Sequence, residues 1–124
     1  MKELTRAEEQ IMQILWQKKS AFVKDIIAEM PDPKPAYNTV STIVRILENK
    51  NFVAHKEYGK SHMYLPLVSK KEYSKFRMNS MTRDYFGNSA KQVVSFFASN
   101  NKISLRDADE IIKLLEEIKK EENE

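Results

Sequence analysis

A helical pattern over residues 37–50 constrains the fold most, because it follows a proline-rich segment and precedes a stretch of alternating polarity. At 3.6 residues per turn its apolar members share one stripe, formed by Val40, Ile43, Val44 and Leu47. The opposite side carries short hydrogen-bonding groups and one long cation, which suit phosphate oxygens and base edges. We interpret this stretch as a DNA recognition helix. The alternative is an ordinary amphipathic helix with a solvated polar face.

Two short helices are predicted before this one. Thr5 and Glu8 form a T-x-x-E capping box, which begins a helix over about residues 6–17. A second helical pattern begins at Phe22 and stops at Pro31. The three prolines of residues 31–35 exclude a helix there, so this segment predicts the turn before the recognition helix.

After Lys50 the hydrophobic period changes from helical to two. Residues 52–57 and 61–65 read as strands joined by a turn around Gly59. Three short helices followed by a basic-tipped hairpin is the order of a winged helix-turn-helix, whose third helix enters the major groove. The predicted fold class is therefore mainly α, with a winged helix-turn-helix DNA-binding domain and its small β-hairpin over residues 1–68.

The hairpin holds both histidines of the chain. With the turn centred on Gly59, residues 56 and 62 are expected to face each other, which puts His55 and His62 on opposite faces. No metal site is therefore expected, and His62 is expected to contact phosphate. The predicted DNA-binding residues are Tyr37, Asn38, Thr39, Ser41, Thr42, Arg45, Lys56, Lys60 and His62.

Residues 69–124 predict three further helices rich in large apolar side chains. Ser69 and Ser104 occupy capping positions at the start of the first and the third. Because so small a unit buries little surface alone, we expect a three-helix dimerisation domain. The alternative is that these helices fold back on the N-terminal domain. The expected dimerisation residues are Tyr73, Phe76, Tyr85, Phe86, Phe96, Phe97, Ile111, Ile112 and Leu115.

The distribution of charge favours a polyanionic partner. Residues 1–106 contain 18 Lys and Arg against 10 Asp and Glu, whereas residues 107–124 contain 3 against 8. The excess of cations in residues 1–106 attracts this part of the chain to DNA, while the acidic residues 107–124 are repelled. The alternative is a mixed surface charge with an acidic terminal helix.

Several classes of protein are excluded or disfavoured. The chain has no cysteine, which excludes disulfides, thiolate nucleophiles and zinc-thiolate sites. No catalytic constellation or glycine-rich phosphate loop is present, so we expect neither an enzyme nor a cofactor. The chain shows no long apolar run and no signal peptide, which predicts a cytoplasmic protein. A winged-helix module that binds proteins instead of DNA stays as the second hypothesis.

Three stretches of the chain resemble the penicillinase and methicillin-resistance repressors of the BlaI/MecI/CopY type. They are L-T-x-A-E-x-x-I-M-x-I-L-W at residues 4–16, T-V-S-T-I-V-R-I-L-E-x-K at 39–50 and G-K-x-x-x-Y-x-P at 59–66. The resemblance implies a homodimeric repressor of double-stranded operator DNA, with contacts at the start of the recognition helix and at Lys60. The chain departs from the family at Ile46, where a basic residue is frequent, and at Asn51, where glycine is usual.

The resemblance also implies a route of regulation. In the antibiotic-responsive branch, a membrane-bound sensor metalloprotease triggers cleavage of an Asn-Phe bond in the dimerisation domain, and Phe96-Phe97 align with that bond. The copper-responsive branch uses a cysteine-rich C-terminus. This chain has no cysteine, so metal sensing of that type is not expected.

Overall fold

The computed structural model describes residues 1–123. Its elements are α1 (Arg6–Lys18), β1 (Ala21–Phe22), α2 (Val23–Ala28), α3 (Tyr37–Asn49), β2 (Val53–Tyr58), β3 (Ser61–Pro66), α4 (Lys70–Tyr85), α5 (Ala90–Ser99) and α6 (Leu105–Glu122). The chain divides into two compact units, Met1–Met78 and Asn79–Glu124, the second described up to residue 123.

The core of the first unit lies between α1, α2 and α3. The predicted capping box begins α1, since Thr5 Oγ1 accepts from the Glu8 backbone and Glu8 Oε1 accepts from the Thr5 backbone. The apolar stripes of these helices then meet in one cluster with no exposed surface: Ile11, Met12, Leu15, Ile26, Val40, Val44 and Leu47. Burying these aliphatic side chains stabilises the unit by about 2 kcal/mol each, before conformational entropy is subtracted.

A three-stranded antiparallel sheet in the order β1-β3-β2 completes this unit. The strand β1 pairs Ala21 with Tyr64 and Phe22 with Met63. The sequence did not predict this strand because two residues are too few to show a period of two. It places the N-terminus of α2 directly against the hairpin of β2 and β3, which we call the wing.

The predicted register of the wing is wrong by one residue. Tyr58 pairs with Ser61, Glu57 with His62 and Lys56 with Met63, so the turn consists of Gly59 and Lys60 alone. Gly59 adopts a φ of 62°, which glycine tolerates without strain. Neighbouring side chains on a strand point to opposite faces. A shift of one residue in the register therefore changes which residues of β2 share a face with each residue of β3.

The start of α4 belongs to the first unit. Tyr73 is buried, and its hydroxyl accepts a hydrogen bond of 2.8 Å from the Leu4 backbone. Trp16 donates to the Val68 carbonyl at 2.8 Å, and its ring centroid lies 5.9 Å from that of Tyr73. The boundary between the units therefore falls after Met78 and not after residue 68.

This packing corrects the expectation that Tyr73 and Phe76 lie at a dimer interface. Tyr73 is a member of the first unit's core, and Phe76 packs against that core. An aromatic residue at helical spacing predicts burial, but the spacing does not say against which surface. The remaining residues expected at the interface all lie in the second unit.

The second unit consists of the end of α4 with α5 and α6. Ser89 and Ser104 cap the last two helices, each accepting from a backbone N–H three residues on. Val93 is buried, and the rings of Phe86 and Phe96 meet edge to face at 5.6 Å. Many large apolar side chains of this unit stay exposed: Met81, Tyr85, Val94, Phe96, Phe97, Leu105, Ile112, Leu114, Leu115 and Ile118.

None of the helices within residues 1–123 is both long enough and apolar enough to cross a lipid bilayer.

Candidate nucleic-acid interface

The helix α3 has one buried and one exposed face, as its sequence pattern predicts. Val40, Val44 and Leu47 have no exposed surface, and Ile43 packs partly against the same core. The opposite face carries four exposed polar side chains, with Ser41 half-buried among them: Asn38, Thr39, Thr42 and Arg45. Because the core holds the buried face, the polar face is fixed toward solvent.

The N-terminus of α3 has no side-chain cap. Its N-cap residue is Ala36, whose side chain has no acceptor for the first-turn N–H groups. These donors, together with the helix dipole, favour an anion such as a phosphate. Tyr37 at this end is also exposed.

Hydrogen bonds within α3 position two of its exposed side chains. Arg45 Nη2 donates to Ser41 Oγ at 3.2 Å, and Thr42 Oγ1 donates to the Asn38 carbonyl at 2.8 Å. The guanidinium has five N–H donors, so this bond orients Arg45 while leaving it able to bind a base edge or a phosphate.

A cleft lies between α3 and the wing, and we call it the interface cleft. Its lining includes five of the predicted DNA-binding residues, namely Tyr37, Ser41, Arg45, Lys60 and His62. It also includes Glu48, His55 and Tyr64, which the sequence analysis did not assign to the interface. Of these, only Glu48 could have been assigned to the interface from the sequence. It follows Arg45 by three residues and so lies on the same side of the helix.

Four of the predicted DNA-binding residues do not line this cleft: Asn38, Thr39, Thr42 and Lys56. Lys56 pairs with Met63, so its side chain is on the face of the wing opposite His55 and His62. Thr39 lines a separate depression beside Pro33 and Pro35, on the side of the turn between α2 and α3. The interface cleft therefore contains fewer cations than expected, and it contains one carboxylate, that of Glu48.

The two histidines of the wing are in contact. His55 and His62 stack with ring centroids 4.2 Å apart and ring planes 6° from parallel. His55 Nδ1 lies 2.5 Å from Glu48 Oε2 of α3. The expectation that these histidines point to opposite faces is therefore wrong, because the predicted register of the wing differs by one residue from the observed one.

An ion pair fixes the C-terminal end of α3 to α1. Lys50 Nζ contacts both carboxylate oxygens of Glu8, at 3.0 and 2.8 Å, and Glu8 is 4% exposed. Burial alone would raise the pKa of this carboxyl, but hydrogen bonds from Lys50 and Thr5 hold its pKa below the ordinary value. Glu8 is therefore charged at neutral pH and depends on Lys50 for compensation.

Tyr64 is buried and is one of the residues that line the interface cleft. Burial, and after it the charge of Glu48, raises the pKa of Tyr64 above its ordinary value. Tyr64 therefore remains a neutral hydrogen-bonding group throughout the neutral range.

These elements define a class of fold. Three helices, a short strand and an antiparallel hairpin, with the strand order β1-β3-β2, form a winged helix-turn-helix. The solution structure of the DNA binding domain of the repressor BlaI is similar, with a TM-score of 0.50 and 23% identity, over 59% of this chain and 94% of that one. This likeness confirms the predicted fold class.

The chain belongs to the penicillinase repressor family, whose model matches residues 4–117. The penicillinase repressor of Bacillus licheniformis is 22% identical over 123 residues, covering 98% of this chain and 96% of that protein. The methicillin resistance regulatory protein MecI of Staphylococcus aureus (strain N315) is 30% identical over 96 residues, covering 76% of this chain and 78% of that protein. The resemblance drawn from the three sequence stretches is confirmed, and the family is one of repressors and not of enzymes.

Proposed function

We propose that this protein is a transcriptional repressor that binds a pseudo-palindromic operator in the cytoplasm as a homodimer. One observation carries the proposal: the polar face of α3, with Arg45, and the wing, with Lys60, border one exposed cleft. Membership of a family of repressors supports the same function.

The polar face of α3 is suited to the major groove. Asn38, Ser41 and Thr42 supply short hydrogen-bonding groups, and Arg45 supplies a cation that can bind guanine bidentately. The uncapped N-terminus of α3 is suited to a backbone phosphate on one side of the groove. Lys60 and His62 of the wing extend these phosphate contacts along the duplex.

A homodimer is supported by the surface of the second unit. Its exposed apolar side chains include Phe96, Phe97, Ile112 and Leu115, all more than 40% exposed in one chain. So large an apolar surface is unusual on a monomer and is typical of an interface. A second copy of the same unit covers it in a two-fold arrangement, which suits a pseudo-palindromic operator.

We also propose that repression ends by proteolysis of the second unit, with a membrane-bound sensor metalloprotease as the upstream partner. The aligned bond, Phe96-Phe97, lies inside α5, and both side chains are exposed in one chain and covered in the proposed dimer. Cleavage there requires α5 to open locally, because a protease active site binds extended chain.

The proposal is tested by fluorescence anisotropy with the chain's own promoter DNA and with scrambled DNA, over a series of salt concentrations. A specific repressor should prefer the promoter by at least about a thousandfold, and its affinity should fall steeply with salt. Equal weak binding to both DNAs, or none, would favour the protein-interaction module instead.

Replacing Arg45 with alanine should weaken promoter binding by about 1–3 kcal/mol, because it removes the longest hydrogen-bonding side chain of the α3 polar face. Anisotropy against promoter and scrambled DNA measures the loss and its sequence dependence. Arg106→Ala, at an arginine that is 90% exposed on α6, is the control. If Arg45→Ala loses no more promoter affinity than this control, Arg45 is not part of the DNA interface.

Replacing Lys60 with alanine should weaken binding to all DNA sequences alike and lower the slope of log affinity against log salt by about 1. Lys56→Ala is the matched control on the opposite face of the wing, and its slope should stay near that of the unmodified protein. If Lys56→Ala lowers the salt slope more than Lys60→Ala does, the opposite face of the wing contacts the DNA backbone.

A further inference from the structure

We propose that His55, Glu57 and His62 form a binding site for a divalent transition-metal ion of the Zn²⁺ class. One ligand atom from each of these side chains lies within 4.8 Å of the others. His62 Nε2 and Glu57 Oε1 are 3.9 Å apart. No other group of three such side chains within residues 1–123 meets this distance.

The register of the wing brings these side chains together. Glu57 and His62 are direct cross-strand partners, and His55 is two residues before Glu57 on β2. Residues two apart on a strand share a face, and direct partners across an antiparallel pair share it too. All three side chains therefore project from one face of a paired hairpin, and two of them, His55 and His62, line the interface cleft.

The donor set suits zinc. Two imidazoles and one carboxylate, with a water in the fourth position, is a ligand set that zinc uses in sites with an open position. Tetrahedral coordination with bonds of about 2.1 Å requires donor atoms about 3.4 Å apart, so the side chains must close by roughly 1.5 Å. His62 and Glu57 are exposed, so rotation of their side chains meets little packing resistance.

The stacked rings must also tilt, because the lone pair of an imidazole nitrogen lies in the ring plane. Stacking keeps the two rings adjacent before the ion arrives. Binding then requires rotation about side-chain bonds of the exposed His62 and Glu57 and a tilt of the half-buried His55 ring, with no change in the strands.

Glu48 provides a supporting contact from outside the ligand set. A carboxylate only accepts hydrogen bonds, so His55 Nδ1 donates to Glu48 Oε2 and leaves Nε2 as the nitrogen that binds a metal. A carboxylate that orients a histidine in this way is common around metal ions and raises the basicity of the ligand. Because Glu48 belongs to α3, a bound ion joins the wing to the recognition helix.

A bound ion changes the charge of the interface cleft. Glu48 lines the interface cleft with Arg45 and Lys60, Glu57 lies on the same face of the wing as His62, and carboxylates repel DNA phosphates. A divalent cation adds two positive charges at this position, which favours phosphate binding. The ion should therefore tighten operator binding. This consequence rests on the proposed repressor function, whereas the site itself does not.

The experiment is titration of the tag-free protein with Zn²⁺ in competition with a chromogenic chelator, and with Co²⁺ followed by its visible absorption. We expect one ion per chain, with the Co²⁺ bands of a site that contains nitrogen ligands. His55→Ala and His62→Ala should each weaken binding by at least about a hundredfold, and Glu48→Gln by about 10–100-fold. Glu29→Gln, in the surface pair with Lys18, is the matched control and should bind normally.

Circular dichroism of each variant verifies that it is folded. Binding of Zn²⁺ weaker than about 0.1 mM, or binding that His62→Ala does not weaken, would overturn the site. Promoter affinity is then measured with and without Zn²⁺. A bound ion without a gain in promoter affinity would overturn the coupling, while absence of promoter binding in both conditions would count against the repressor function and not against the site.

Discussion

Replacing Leu115 with aspartate is expected to convert the proposed homodimer into monomers and to lower promoter affinity by about a hundredfold or more. Leu115 is 50% exposed on α6, among the apolar side chains that we assign to the two-fold interface. A charge there becomes buried without a partner when two copies associate. Once the copies separate, the two half-sites are no longer bound as a linked pair, and the gain from their effective concentration is lost.

Sedimentation equilibrium measures the result directly, because one chain has a mass of 14.6 kDa and the dimer has twice that mass. Ser95→Asp, which adds the same charge to an exposed position of α5, is the control and should remain dimeric. Circular dichroism verifies that both variants keep their helices. A monomeric unmodified protein, or a dimeric Leu115→Asp variant, would contradict the proposed interface.

Replacing Lys50 with alanine should lower the free energy of unfolding by about 2–4 kcal/mol. The variant leaves the buried carboxylate of Glu8 without its cation, and breaking a buried pair in this way is strongly destabilising. The lysine side chain is 34% exposed, so we place the effect slightly below that of a fully buried pair. Urea unfolding of the two proteins measures the difference.

The surface pair of Lys18 and Glu29 is the control for this prediction. Its atoms are 3.3 Å apart and its side chains are 35% and 49% exposed, so Lys18→Ala should cost less than about 1 kcal/mol. Adding Glu8→Gln to Lys50→Ala should restore part of the stability, because the amide carries no charge to bury. If Lys50→Ala and Lys18→Ala lower the free energy of unfolding equally, the buried pair contributes no more to stability than the surface pair.

The same pair gives the stability of the protein a dependence on pH. The pKa of Glu8 is lowered in the folded state, so its contribution is present above the unfolded value of about 4.3 and is lost as the pH falls through the folded value. The Lys50→Ala variant should lose less stability than the unmodified protein between neutral pH and that acidic range. The unfolding experiment therefore includes an acidic series.

The sequence predicted most of the winged helix because its elements have clear periodic patterns. The capping box of Thr5 and Glu8 located α1, and the prolines located the turn before α3. Asn51, where the family usually has glycine, adopts a φ of 63°, the left-handed conformation in which helices commonly end. The position of Tyr73 was not predictable, because its partners Leu4 and Trp16 are far away in the sequence.

The candidate interface was predictable on α3 and only in part on the wing, where Lys60 and His62 were predicted and His55 was not. The polar face of α3 follows from the helical period, whereas the face of each wing residue depends on whether the turn contains two residues or three. That difference of one residue separates Lys56 from the interface cleft and joins His55 to His62. The role of Glu48 depends on the same register, because it is set by contact with His55.

The hydrogen bond from Trp16 to Val68 makes the first unit separately observable by optical spectroscopy. Trp16 is the single tryptophan of the chain, and its indole lies against Tyr73 at the start of α4. Tryptophan emission therefore reports the loss of structure in the first unit, while far-ultraviolet dichroism sums the helices of both. Coincident denaturation curves would show that the two units unfold together, and separate curves would give each its own stability.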